Sequence, residues 1–165
     1  MPIEETPSER RKHLSMATTK IKCPVEGIID LDRLPGVDTQ KVVALIDAPE
    51  VQRLRRVRQL GFTEHVYPGA THTRFAESLG ACQGAQRTLT RRRDLSDRID
   101  DEWFVATALA CRRHDVGHGP FSHTFESITK QPHEERTLEL VRSGPRVPEI
   151  LERIGPGQVL SLIHI

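Results

Sequence analysis

The segment His114-Asp115-Val116-Gly117-His118-Gly119-Pro120-Phe121-Ser122-His123 carries the residues best suited to chemistry in this chain of 165 residues. A neutral imidazole next to a carboxylate at a helix end binds one divalent ion, which lowers the pKa of a bound water and polarises a phosphoryl oxygen. Gly117 and Gly119 let backbone and substrate approach closely, and His118 and His123 follow where a proton donor for a leaving oxygen could stand. Taken singly, each histidine reads equally well as a capping or core residue at a helix break. With His133, however, four of the eight histidines fall within twenty residues, so a single site is expected to gather them.

The elements that must position these groups are mainly helical. Asp47, Pro49 and Glu50 form an N-cap, an early proline and a capping-box glutamate, and Val51, Leu54 and Val57 continue at helical spacing. This predicts a helix to about Leu60, stopped by Gly61. A second helix is expected from Thr71 to Thr73 onward, with Phe75, Leu79 and Cys82 inward, ending before Arg91 to Arg93. A third, capped by Asp100 or Asp101 with Phe104, Leu109 and Ala110 inward, delivers His114 and Asp115 near its end. Gly117, Gly119 and Pro120 then break the pattern, and two short helices fit Glu134 to Val141 and Val147 to Ile154. Ile21 to Asp32, with Pro24 and Gly27, reads as a short hairpin that forms an edge or lid. Residues 1–19 are polar and aperiodic, as expected of a disordered leader.

Composition excludes more than it assigns. The chain suits one domain with a modest core, and 24 Lys plus Arg against 23 Asp plus Glu gives no charge bias toward nucleic acid or an acidic partner. Cys23, Cys82 and Cys111 are odd in number and form no CxxC, which argues against a disulfide framework and for a reducing, cytoplasmic setting. The longest apolar run, Val42 to Ile46, is far short of a bilayer span, so no membrane partner is expected. Arg53, Arg55, Arg56 and Arg58 interleave an apolar stripe and read as a solvated helix face whose stems cover the core, not as a nucleic-acid surface.

In order along the chain, CPVEGII, ALIDAPEVQRLRRVRQLG, VYPGATHTRFAESLG, HDVGHGPFSHTFE and a later HEE resemble the motifs of the HD-domain deoxynucleoside triphosphate triphosphohydrolases, a dGTPase-like family. The resemblance covers roughly residues 20 to 143. It implies an all-α HD-domain helical bundle behind the short N-terminal β-hairpin. It also implies a divalent metal ion (Mg, Mn, Fe or Zn) and water attack on the α-phosphorus of a dNTP, releasing deoxynucleoside and tripolyphosphate. By resemblance His114 and Asp115 are metal ligands, His118 and His123 contact phosphate and donate a proton, His133 is a further catalytic histidine, and Glu126 replaces an aspartate that orients the donor. Gln59 and Leu60 correspond to the pair against the deoxyribose, and Arg74 to the arginine near base or phosphates. The full-length parent is expected to be a homo-oligomer, as relatives are.

Three departures qualify the match. Glu77 stands in RFAES where the family has the metal-binding histidine of RFxHS; a carboxylate there suits Mg²⁺ or Mn²⁺, but it also reads as a surface glutamate paired with Arg74 one turn away. Arg112 and Arg113 replace apolar residues, and burying either unpaired would be costly. After Asp115 the chain has no aspartate, so the distal ligand of the family is missing. The closing LSLIHI matches a reading frame of a transposase end sequence common in sequencing libraries, so residues 160–165 are expected to be an artificial terminus on a partial HD domain spanning 20–159. The alternative reading is a degenerate HD module that binds nucleotide or nucleic acid in a regulatory role.

Overall fold

The computed structural model describes residues 20–23, 27–93 and 101–155. The expected leader, the 160–165 terminus and the side chains of Arg112 and Arg113 lie outside what it describes. A two-stranded antiparallel hairpin, β1 (Lys20–Cys23) and β2 (Gly27–Asp30), opens the fold with Ile21 paired to Ile29. Seven α-helices follow among the described residues: α1 (Thr39–Ile46), α2 (Pro49–Gln52), α3 (Arg74–Arg93), α4 (Asp101–Arg113), α5 (His123–Thr129), α6 (His133–Ser143) and α7 (Val147–Ile154).

Helix α1 starts because the Asp38 carboxylate accepts from the Gln40 N–H at 2.9 Å, and it turns Val42, Leu45 and Ile46 inward. The long pair α3 and α4 pack along each other and bury Phe75, Leu79, Cys82, Phe104 and Leu109, as their periodicity predicts. Val147, Ile150 and Leu151 of α7 join the same core against α1 and α6.

The predicted helix from Asp47 to Leu60 is corrected. Asp47 instead closes α1, Ala48 precedes Pro49 without a side-chain cap, and α2 ends at Gln52. A 3-10 turn (Arg53–Arg56) follows, then Val57 is extended and Arg58 bridges Thr73. Tertiary demands explain the difference. The Glu50 carboxylate is turned away from its own helix and accepts from the N–H groups of Arg146 (2.7 Å) and Val147 (3.1 Å), capping α7. The arginines likewise do not form one solvated helix face. Arg53 is partly buried, and burial presses its pKa below the ordinary value; its guanidinium donates to the carbonyls of Val116 and of His118 (2.7 Å). Arg55 lies 3.7 Å over the Phe75 ring, and Arg58 pairs with Glu64 at 3.0 Å. Helix α3 also runs through Arg91 to Arg93 instead of ending before them, and α5, for which the sequence reading has no helix, follows the break at Gly117 to Pro120.

Candidate active site

Helix α4 ends at Arg113, and His114 and Asp115 occupy the turn that follows, with the His114 N–H still bonded to Ala110 O at 3.1 Å. The turn is held from three directions. Arg53 grips the carbonyls of Val116 and His118. Thr137 of α6 accepts the Gly117 N–H at 2.9 Å and donates to His114 O at 3.1 Å. Gly117 is required for that contact, because a Cβ there would stand 2.1 Å from His133 O and 2.5 Å from Thr137 N. At Gly119 a Cβ would meet the Phe125 ring at 2.3 Å.

Four side chains converge on the buried Asp115 carboxylate. Arg74 Nη1 lies 3.1 Å from Asp115 Oδ2 and also 3.1 Å from Glu77 Oε2, while His114 Nε2 and His118 Nε2 each lie 3.3 Å from Asp115 Oδ1. Burial, and then the neighbouring Asp115 carboxylate, push the Glu77 carboxyl up to about 7. Burial also pushes Asp115 upward, but His118, Glu77, His114 and Arg74 outweigh it and hold its carboxyl well below the usual range. The two acids therefore tend to share one proton and one guanidinium.

Glu77, His114 and Asp115 bring one donor atom each within 4.8 Å of one another. The His114 ring supplies a test of whether they suit a metal ion. Its Nδ1 lies 2.7 Å from Cys111 O, an oxygen that only accepts, so Nδ1 carries the proton and Nε2 turns a lone pair toward Asp115 Oδ1. Two acceptors facing each other in a partly buried acidic pocket are what a divalent cation resolves, and the mixed nitrogen and oxygen donors fit one.

A second group centres on Glu126 of α5. Its Oε1 lies 3.1 Å from His118 Nδ1, 3.2 Å from His123 Nδ1 and 3.0 Å from His133 Nδ1. His118 is 1% exposed and stacks on His133 at 3.8 Å between centroids, whereas His123 is 70% exposed and meets both rings edge-on. Burial pushes His118 down, toward the neutral ring. Burial pushes Glu126 up, but the three imidazoles, His133 foremost, prevail and hold it below its ordinary value.

Of the remaining predicted residues, Gln59 and Leu60 lie beside the histidine segment and Arg74 lies within the Asp115 group. The Gln59 N–H bonds to His72 O at 3.2 Å, and the exposed Leu60 precedes the turn Gly61–His65. Gly61 lies against the Phe121 backbone, which brings this loop beside the histidine segment. Arg74 is buried, and its guanidinium is directed at Glu77, Asp115 and Ser122. Ser122, not singled out by the sequence, fastens the loop. Its hydroxyl donates to Arg58 O at 2.7 Å and accepts from Arg74 Nε at 3.2 Å, where Phe121 (φ 63°) and Ser122 (φ 53°) both take positive φ. Arg53 and Thr137 were likewise missed. A threonine one turn after His133 is the only local signal for the latter.

The chain has an HD-domain helical fold. It superposes on the crystal structure of a phosphohydrolase from Bacteroides thetaiotaomicron with TM-score 0.70 and 34% identity, covering 89% of this chain and 34% of that one. It is 37% identical over 147 residues to the deoxynucleoside triphosphate triphosphohydrolase SAMHD1 of Homo sapiens, covering 88% of this chain and 20% of that protein. It is 39% identical over 116 residues to YwfO of Bacillus subtilis, covering 68% of this chain and 26% of that protein. The chain thus spans between about a fifth and a third of the length of these proteins. No family model matches it. The likenesses in sequence and fold support the HD-domain phosphohydrolase family for this chain. No helix among the described residues is long and apolar enough to cross a membrane.

Proposed function

We propose that these residues form the catalytic part of a metal-dependent phosphohydrolase that converts a dNTP and water to deoxynucleoside and tripolyphosphate. The observation that carries the reading is the convergence of Arg74, Glu77, His114 and His118 on the one buried carboxylate of Asp115. The triphosphohydrolase activity named for the SAMHD1 relative supports the choice of dNTP as substrate, and the likenesses do not favour the regulatory-module alternative. Residues 20–159 are read as part of an HD domain, in a cytoplasmic protein that assembles as a homo-oligomer.

In this reading His114, Asp115 and Glu77 hold a divalent ion, which when bound supplies Lewis acidity to a phosphoryl oxygen and acidifies water. Arg74 offsets the charge of the two carboxylates and keeps them from repelling an anionic substrate. His123, the exposed imidazole, is placed to protonate a leaving oxygen, and Glu126 orients its ring through Nδ1. His133 is the further catalytic histidine, and the buried His118, between Asp115 Oδ1 and Glu126 Oε1, ties the two groups together. Gln59 and Leu60 lie on the loop that would meet the deoxyribose. The test is to incubate the full-length protein with dNTPs and Mn²⁺ and resolve the products. Tripolyphosphate and deoxynucleoside in equal amounts are expected, and absence of tripolyphosphate overturns the proposal.

A further inference from the structure

Ser122 is at odds with both of the local reasons for a residue at its position. Its backbone, at φ 53° and ψ −125°, takes a conformation that strains an L side chain and that glycine adopts freely. It also stands directly before α5, where a serine hydroxyl is suited to accept from the amides of the first turn, yet it makes no such bond. The hydroxyl turns instead to two other parts of the chain, Arg58 O at 2.7 Å and Arg74 Nε at 3.2 Å. A carbonyl only accepts, so the Ser122 proton goes to Arg58 O and a lone pair faces the Arg74 Nε–H. A residue chosen for the turn would be glycine, and one chosen for the cap would face α5. The reason for a serine is therefore the pair of bonds that its hydroxyl makes.

We propose that Ser122 is a positioning residue of the hydrolase site, whose hydroxyl sets the orientation of the Arg74 guanidinium and the spacing between the Gln59–Leu60 segment and His123. The inference rests on the proposed function for what these groups act on, and on the hydrogen bonds for how they are held. Arg74 Nη1 lies 3.1 Å from both Glu77 Oε2 and Asp115 Oδ2, and contact at that one nitrogen would let the planar fork swivel. The Ser122 bond at Nε supplies the second fixed point, and the direction of Nη2 is then set. Arg58 immediately precedes Gln59, and Ser122 immediately precedes His123. One oxygen therefore joins the segment read as meeting the deoxyribose to the imidazole read as protonating the leaving oxygen. Ser122 is 3% exposed and Arg74 6%, which shelters both bonds from competing water.

The test compares Ser122→Gly with Ser122→Ala in the full-length protein. Both lose the hydroxyl, but glycine also relieves the backbone, so Ser122→Gly is expected to melt higher than Ser122→Ala. With dNTP and Mn²⁺, kcat/KM is expected to fall roughly 10-fold or more in both, chiefly through KM, because Arg74 acts on charge that the substrate carries throughout the reaction. A second readout needs no nucleotide. Phenylglyoxal modifies arginine, and its rate at Arg74 in the EDTA-treated protein is mapped by mass spectrometry against the exposed Arg56. That rate is expected to rise roughly 10-fold in both variants. Either a parental KM or a parental Arg74 rate in Ser122→Gly overturns the proposal. A loss that follows melting temperature from one variant to the other also overturns it, since the serine would then serve the turn alone. If the parent yields no tripolyphosphate, the hydrolase reading fails by itself and the Arg74 rates still decide. Protection lost in Ser122→Gly then upholds the hold on Arg74, and protection kept overturns it.

Discussion

Around Asp115 two carboxylates face one guanidinium, whereas around Glu126 one carboxylate faces three imidazoles. The first group contains its own counter-ion, because Arg74 reaches from α3 to both acids. The second gathers three imidazoles around one carboxylate oxygen, and the approaches of His118 and His133 lack hydrogen-bond alignment. The two carboxyls shift in opposite directions: burial and the facing Asp115 carboxylate raise Glu77 in spite of Arg74, whereas the imidazoles, His133 foremost, lower Glu126 in spite of burial. Charge compensation by a fixed side chain and charge compensation left to exchangeable partners thus sit one contact apart, joined by Asp115 and His118.

The largest break in this comparison comes from Asp115→Ala, which leaves Arg74 with Glu77 as its one carboxylate partner and removes the bridge to His118. Loss of a buried partner predicts a cost of about 3 kcal/mol, measured by urea unfolding, together with loss of any ion held at the first group. A cost well below that would mean Glu77 alone satisfies the guanidinium. Next comes Gly117→Ala, whose methyl would overlap His133 O and Thr137. A penalty of about 1–3 kcal/mol and a lowered melting temperature are expected, and both groups should suffer together, since His133 and the histidine turn are displaced at once. Ion binding unchanged at the Asp115 group would show the two to be mechanically independent.

The smallest effect separates the groups by pH. Glu77 titrates higher folded, at about 7, than its ordinary 4.5, so its contribution to stability is complete below about 4.5 and is lost as pH rises through about 7. Glu126 is held below its ordinary 4.5, so its contribution is present above that value and is lost as pH falls. Melting temperatures of the EDTA-treated protein should therefore lose their neutral-side decline in Glu77→Gln and part of their acid-side decline in Glu126→Gln. The same slope in Glu77→Gln as in the parent would refute the first assignment.

Periodicity made α3, α4, α6 and α7 legible in the sequence, because each buries a continuous stripe whose spacing is local. The hairpin was legible from its β-branched residues around Gly27. The stretch from Asp47 to Leu60 misled because Glu50 caps a helix nearly a hundred residues away and Arg53 leaves its own segment to hold the carbonyls of Val116 and His118. Neither partnership has a local signature. Helix α1 was passed over as an apolar run, although Asp38 caps it. In the site, His114 to His123 could be read because the chemistry is contiguous, and Glu77 because it stands in a recognisable motif. Ser122 and Thr137 could not, since a hydroxyl acquires such a role only when backbone from elsewhere is brought to it.

Helix α6 is fastened to the histidine turn at Thr137 and presents His133 one turn earlier, about 6 Å along its axis. The position of the imidazole is thus fixed through a hydroxyl four residues along the same helix, and that helix packs on α7, whose first amides are held by Glu50. A residue pair nearly a hundred positions apart, Glu50 with Val147, therefore closes the frame in which His133 is presented.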